Sequence, residues 1–392
     1  MYDNFDEPVD RRESDSTKWR RYGDGVLPLW VADMDFASPR PVIEALHRRV
    51  DHGIFGYGDP PEALRAAICE RLARLYGWKV SPTELMFLPG LVCGLNLVSR
   101  AVGQPGDGIL IQTPVYPPFL TAPINGGRVL ETVTLSRRNG RYEVDFDAME
   151  QAITSRTRLF LLCNPHNPVG RVYERWELER MAEICLRHDL VICSDEIHCD
   201  LIYDGRRHIP IASLAPELAE RCITLLSPSK TFNLAGLGCA VAVTQNPALM
   251  RQLHAAAAGI VPPVNVLGYV AALAAYQEGQ PWLDALLAYL AANRDYLADY
   301  VRRHLPMITM TKPEGTYLAW LDCRLCDLPD TPYRFFLNEA KVALNDGAAF
   351  GPGGEGFVRL NFGCPRTTLA QALERMRDAL ERLGSRRSPT PR

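Results

Sequence analysis

The chain is 392 residues long, 47% hydrophobic and 23% charged, with a net charge of −3 and a pI near 6.3. That length exceeds what a single hydrophobic core serves, so two packed units are expected, and the composition excludes disordered and fibrous classes. No Lys/Arg stripe interleaves with aromatics, so the charge pattern excludes a nucleic-acid footprint and points to a small-molecule partner.

In chain order, residues 1–16 (MYDNFDEPVDRRESDS) are charged and carry no apolar segment, and nowhere do about 18 apolar residues run together. The expectation is a cytoplasmic protein with no membrane partner. Residues 1–45 read as an N-terminal arm contributing to a smaller unit. From 46 to 285, short apolar runs alternate with helical stretches, the pattern of a mostly parallel seven-stranded sheet in an α/β/α sandwich. The predicted strands are Leu85–Leu88, Gly108–Gln112, Val129–Leu135, Arg158–Cys163, Val191–Ser194, Cys222–Leu226 and Cys239–Val243, with helices over Pro61–Tyr76 and Arg175–His188. From Trp282 onward Leu283, Leu286, Leu287, Leu290, Leu297 and Val301 recur at helical spacing, predicting one long amphipathic helix leading out of the large unit. Residues 286–383 then form a smaller α+β C-terminal unit with strands at Tyr317–Asp322 and Phe357–Asn361. The tail, 384–392, is polar and is expected to be disordered. Eleven irregularly spaced cysteines predict reduced, mostly buried thiols, and the lone pair Cys323/Cys326 lacks the second pair that zinc would need.

Three polar segments follow apolar strands, where ligands bind in open α/β sheets. Only five of the 43 basic residues are lysines, and one of them, Lys230, sits in Ser227-Pro-Ser-Lys-Thr-Phe-Asn233 directly after the run CITLL. Burial there lowers an amine's pKa and suits it to a Schiff base, although a surface-loop lysine would read similarly. Asp195, in Val191-Ile-Cys-Ser-Asp-Glu-Ile-His198, is a carboxylate at a buried strand end and needs a cation, for which a pyridinium nitrogen would serve. A metal cluster of Asp195, Glu196, His198 and Asp200 is the rival reading, but strand alternation would divide those side chains between faces. In Cys163-Asn-Pro-His-Asn167-Pro-Val-Gly170 the Asn167 amide could donate to a phenolate-like oxygen, or the segment could be a bare turn. Gly351–Gly356 lacks the Lys-Ser/Thr of a phosphate loop and reads as a flexible loop.

Asn-Pro-x-Asn-Pro-x-Gly, Ser-Asp-Glu-Ile-His and Ser-x-Ser-Lys-Thr-Phe-Asn-Leu-Ala-Gly-Leu, in this order, resemble the fold-type I aminotransferase superfamily and, more narrowly, its cystathionine β-lyase branch of the MalY/PatB type. The likeness extends to Leu29-Trp-Val-Ala-Asp-Met-Asp-Phe36, His52-Gly-Ile-Phe-Gly-Tyr57, Pro114-Val-Tyr-Pro-Pro-Phe119, Gly315-Thr-Tyr-Leu-Ala-Trp-Leu-Asp322 and Val358-Arg-Leu-Asn-Phe-Gly-Cys-Pro-Arg366. The resemblance implies pyridoxal 5′-phosphate (PLP) as cofactor, with Lys230 its Schiff-base lysine and the base for the Cα proton. It implies Asp195 on the ring nitrogen, Asn167 on the ring oxygen with His198 where many relatives place a tyrosine, and Tyr116 stacked on the ring. The phosphate would meet the backbone amides of Val92 and Cys93, Ser227 and Ser229, and Tyr57 from a second subunit of a homodimer. Arg359 would hold the substrate α-carboxylate, with Asn167 and Tyr57 beside it; alone, it would read as a strand-end arginine in an ion pair.

The expected reaction is α,β-elimination of an S-substituted L-cysteine to a thiol, pyruvate and ammonia. Transamination, or oxidative decarboxylation-deamination to an aldehyde, would use the same groups, and a PLP-binding regulator without turnover is the reading from another class. After Tyr57 the chain reads Gly-Asp-Pro-Pro-Glu. Two prolines stiffen a loop expected at the site entrance, which suggests a substrate bulkier than cystathionine.

Overall fold

The computed structural model describes residues 4–138 and 140–387. Seven strands form the large sheet: β1 (Leu85–Leu88), β2 (Gly108–Thr113), β3 (Val129–Thr134), β4 (Thr157–Cys163), β5 (Val191–Asp195), β6 (Cys222–Leu226) and β7 (Ala240–Val243). Their order is β1-β7-β6-β5-β4-β2-β3, parallel except that β7 runs against both its neighbours. The seven runs predicted from sequence are these strands to within a residue or two. Six were visible because strands buried on both faces carry continuous apolar runs; the edge strand β3, VLETVT, is largely exposed and was visible from its β-branched residues.

Alternation along each strand feeds two cores. Ile109, Ile111, Leu159, Leu161 and Ile223 face one side, where Leu95 and Val98 of helix Leu91–Ala101 cover them. Leu110, Phe160, Leu162 and Ile192 face the other, against Leu64, Ile68 and Leu72 of helix α1 (Glu62–Tyr76) and Leu178 and Met181 of Arg175–Arg187. We label the first covering helix, Leu91–Ala101, α2.

A second, antiparallel sheet contains β8 (Thr309–Met310), β9 (Leu318–Asp322), β10 (Asn345–Asp346) and β11 (Phe357–Asn361) in the order β8-β9-β11-β10. It packs with helices α3 (Gln280–His304) and α4 (Arg366–Arg387) around a third core that also takes in Phe5, Leu27, Leu29 and Met34 from the N-terminus. We propose units of 46–285 and 286–383 with residues 1–45 serving the second; that boundary lies inside α3.

Two expectations are corrected. The tail was expected to lose order from Gly384, but α4 continues through Arg387, with Ser385 Oγ donating to the Glu381 carbonyl at 3.0 Å; residues 388–392 lie outside the described residues. The Gly351–Gly356 run is packed rather than flexible. A Cβ on Gly354 would stand 2.1 Å from the Gly347 carbonyl oxygen, and Gly351 takes φ 84° against Leu120, so the glycines there serve close backbone approach.

Candidate active site

A cavity of about 660 Å³ opens where the C-terminal ends of the parallel strands meet the small unit. The loops after β1, β2, β4, β5 and β6 deliver Val92 and Cys93, Tyr116, Asn167, Asp195 and His198, and Ser227, Ser229 and Lys230; β11 delivers Arg359. Every residue that the family resemblance assigns to cofactor or substrate, except Tyr57, lines this one space.

Lys230 lies in a turn tied by Phe232 N–H to the Pro228 carbonyl and Leu234 N–H to the Ser229 carbonyl, both 2.9 Å. Its Nζ donates to the Ala32 carbonyl at 2.6 Å. Burial pushes the amine down to about 8; Arg359 pushes the same way, against Asp33 and Asp195. The neutral, nucleophilic form is therefore accessible near neutral pH.

Asp195 is buried and receives the Ile197 N–H at 3.1 Å. Burial raises its carboxyl to about 7, with Glu196 adding to the rise. Among the described residues no lysine or arginine lies at ion-pair distance from it, so a cation aimed into the cavity would complete it. The suspected metal set is dispersed: Glu196 accepts from Ser194 Oγ at 2.9 Å and pairs with His208 at 2.6 Å, and Asp200 pairs with Arg71 at 2.5 Å. His198 is buried with Nδ1 lacking a hydrogen-bond partner, and burial, then Lys230 and Arg359, push its imidazole down to about 3. It is a neutral ring with one N–H to give.

Arg359 is 3% exposed and has no carboxylate at ion-pair distance among the described residues. Its guanidinium reaches three neutral acceptors, Asn167 Oδ1 at 2.9 Å, the Trp30 carbonyl at 2.9 Å and Asn345 Oδ1 at 2.6 Å, and lies 5.0 Å from the centre of the Phe350 ring. Nε is buried without a partner, and burial pushes the guanidinium down to about 10. A buried cation so arranged is completed by an anion, so the ion-pair alternative fails. With the Asn167 oxygen committed to Arg359, its NH2 is the group left to donate. Tyr116, half-buried at the head of helix Pro117–Asn125, has its phenol pushed up by burial.

Val92 and Cys93 occupy the first turn of α2, where backbone N–H groups have no intrahelical acceptor and the helix end favours an anion. Ser227 Oγ lies 2.7 Å from the Cys239 carbonyl and 2.9 Å from Ser229 Oγ, two acceptors for its single hydrogen, and accepts from Ser229 N–H at 3.1 Å. As placed, it builds the turn that carries Ser229. Tyr57 is fully exposed, and none of residues 53–61 lines the cavity of its own chain. The proline-bearing loop shapes the mouth only if it belongs to another copy.

The orphaned carboxylate, the orphaned guanidinium, the free imidazole nitrogen, the lysine and the open helix end fit PLP with an amino acid beside it. A model of the aminotransferase class I and II family matches residues 24–376. The chain belongs to that family. Within it, the chain is 40% identical to cystathionine beta-lyase PatB of Bacillus subtilis, covering 96% of this chain and 100% of PatB. The structure called OvoB shares 48% identity with a TM-score of 0.93 over 96% of this chain and 99% of that one. The PLP-bound C-S lyase of Staphylococcus hominis shares 34% identity, TM-score 0.92, over 96% and 98%.

Sequence reading missed Asn345 and the Trp30 and Ala32 carbonyls. Asn345 is found once β10 is paired with β11, because it sits directly opposite Arg359 in register; a backbone carbonyl leaves no side-chain trace at all.

Proposed function

We infer that this family member is a PLP-dependent carbon-sulfur β-lyase that cleaves S-substituted L-cysteine to a thiol, pyruvate and ammonia. The observation that carries the reading is one cavity holding a lysine with a lowered pKa, a buried carboxylate short of a cation and a buried guanidinium short of an anion. PatB as a cystathionine beta-lyase and the PLP-bound C-S lyase of S. hominis support the same reaction.

PLP, when bound, supplies an electron sink that acidifies the Cα–H of an amino acid joined to it. Asp195 would keep the ring nitrogen protonated, and the Asn167 NH2 and the His198 N–H would donate to the ring oxygen. Tyr116 would lie against the ring. The amides of Val92 and Cys93, with Ser229, would hold the phosphate. Arg359 grips the α-carboxylate and so fixes which Cα bond stands where Lys230 Nζ can remove its proton. The electron pair left by the Cα–H bond would then close a Cα=Cβ double bond as the C–S bond breaks and its pair leaves with the thiolate, and water would convert the released enamine to pyruvate and ammonia.

The protein works as a cytoplasmic homodimer in this reading, with Tyr57 crossing to the other copy's phosphate and substrate. Among the described residues no helix is long and apolar enough to cross a membrane. Cystathionine fits the chemistry, and the apolar walls at Trp30, Pro117, Pro118 and Phe350, with a proline-stiffened loop from the second copy, favour a bulkier S-conjugate. The test is to offer purified holoenzyme a series of S-substituted cysteines and measure thiol, pyruvate, aldehyde and carbon dioxide. Thiol and pyruvate in equal amounts are expected. A keto acid with its sulfur still attached would replace the lyase reading with transamination, and aldehyde with carbon dioxide would replace it with oxidative decarboxylation.

A further inference from the structure

We propose that Asp200 is a positioning residue for Lys230, acting through Thr231. The proposal rests on Lys230 being the cofactor lysine. Thr231, fully buried, follows Lys230 in the chain, and its Oγ1 donates to Asp200 Oδ2 at 2.9 Å. Asp200 lies five residues beyond Asp195 in the loop that also carries His198. That loop is itself held, with Leu201 N–H on the His198 carbonyl at 2.9 Å and Thr316 N–H on the Leu201 carbonyl at 2.8 Å. One side-chain hydrogen bond thus ties the turn bearing the lysine to the loop bearing the ring-nitrogen carboxylate.

Arg71 completes the device. Its Nη2 meets Asp200 Oδ1 at 2.5 Å, and the guanidinium lies 5.5 Å from the centre of the Tyr276 ring. Both members of the pair are largely buried. Arg71 therefore balances the charge of Asp200 and leaves it as a fixed acceptor for Thr231. Consecutive residues of a turn cannot reorient independently, so fixing the Thr231 hydroxyl fixes the direction in which the Lys230 stem leaves the backbone. Thr231 touches neither cofactor nor substrate on this account; it sets where Nζ stands relative to Asp195.

Thr231→Val removes only the hydroxyl donor and leaves Arg71–Asp200 intact. The holoenzyme of this variant should retain PLP, show kcat lower by about tenfold with KM changed less than about twofold, and show a shifted pH midpoint for the visible band of the lysine-linked cofactor. Thr231→Ser, which keeps the hydroxyl, should restore most of kcat and the wild-type midpoint. A Thr231→Val enzyme with lower thermal stability but wild-type kcat and spectrum would make the contact a strut and overturn the proposal. Thr231→Ala carries the same test if the valine does not fold, and collapse of both would likewise assign the contact to folding and overturn the proposal. Lys230→Ala separates the two readings: persistence of a protein-linked visible band and turnover in that variant would remove the functional assignment itself, whatever Thr231 does.

Discussion

Arg359 faces the cavity with three neutral acceptors and no anion, so the hydrogen bonds that aim it matter more than its charge alone. Asn345 makes the shortest of them, at 2.6 Å, and lies on a strand of the small sheet away from the loops that hold the cofactor. Asn345→Ala should therefore lower kcat/KM by about tenfold, mainly through KM, while PLP content measured by absorbance stays at the wild-type level. Asn345→Asp should be worse, because a carboxylate there would occupy the guanidinium in place of the substrate. Lys230 gives a prediction in pH. Its amine is lowered from 10.5 to about 8, so in apoprotein the neutral form becomes the majority above about 8. Capture of added PLP, followed by absorbance, should rise about tenfold per pH unit below that midpoint and flatten above it. The sign for stability is opposite to that of a paired lysine. The fold disfavours the charged amine, so apoprotein stability falls as pH drops from 10.5 towards 8 and is constant below.

Residues 29–36 form an irregular, bent segment whose value lies in its carbonyls: Trp30 receives Arg359, Ala32 receives Lys230 and Tyr317. The segment is anchored by Lys18, only 1% exposed, which donates to Asp35 at 2.7 Å and to the Asp33 carbonyl at 3.1 Å, while Arg11 reaches both aspartates. Asn233, at φ 58° just past Lys230, accepts from Met34 N–H and donates to the Met34 and Phe36 carbonyls. Lys18→Met should cost about 3 kcal/mol in urea unfolding by leaving Asp35 short of a buried partner, and should raise KM as the segment loosens around Arg359. Six of the seven large-sheet strands were legible at this scale because burial on both faces leaves apolar runs, β3 being an exposed edge. The role of residues 29–36 was not, since its contacts span 198 and 329 residues and are made by main-chain oxygens.

For the molecule as a whole, Tyr57 stands in solvent with Ile54 and Phe55, far too apolar a group to leave uncovered without consequence. If Tyr57 serves a second copy's site, Tyr57→Ala and Lys230→Ala homodimers should each be impaired, and mixing them by unfolding and reassembly should restore activity. Each hybrid dimer then carries one site with both residues intact. Absence of restoration in demonstrably mixed dimers would return Tyr57 to a role within its own chain.

The sequence by itself determined the seven strands, the alternation with helices, and the polar residues Asn167, Asp195 and Lys230 at strand ends, because burial and turn chemistry are written locally. Only the tertiary structure decided that β7 runs antiparallel, that Asn345 stands opposite Arg359, and that Ser227 lies at hydrogen-bond distance from the Cys239 carbonyl. It also decided that Thr231 meets Asp200. These depend on which segments lie side by side, and hydrogen bonds between groups distant in sequence leave no periodicity or composition from which that neighbourhood could be read.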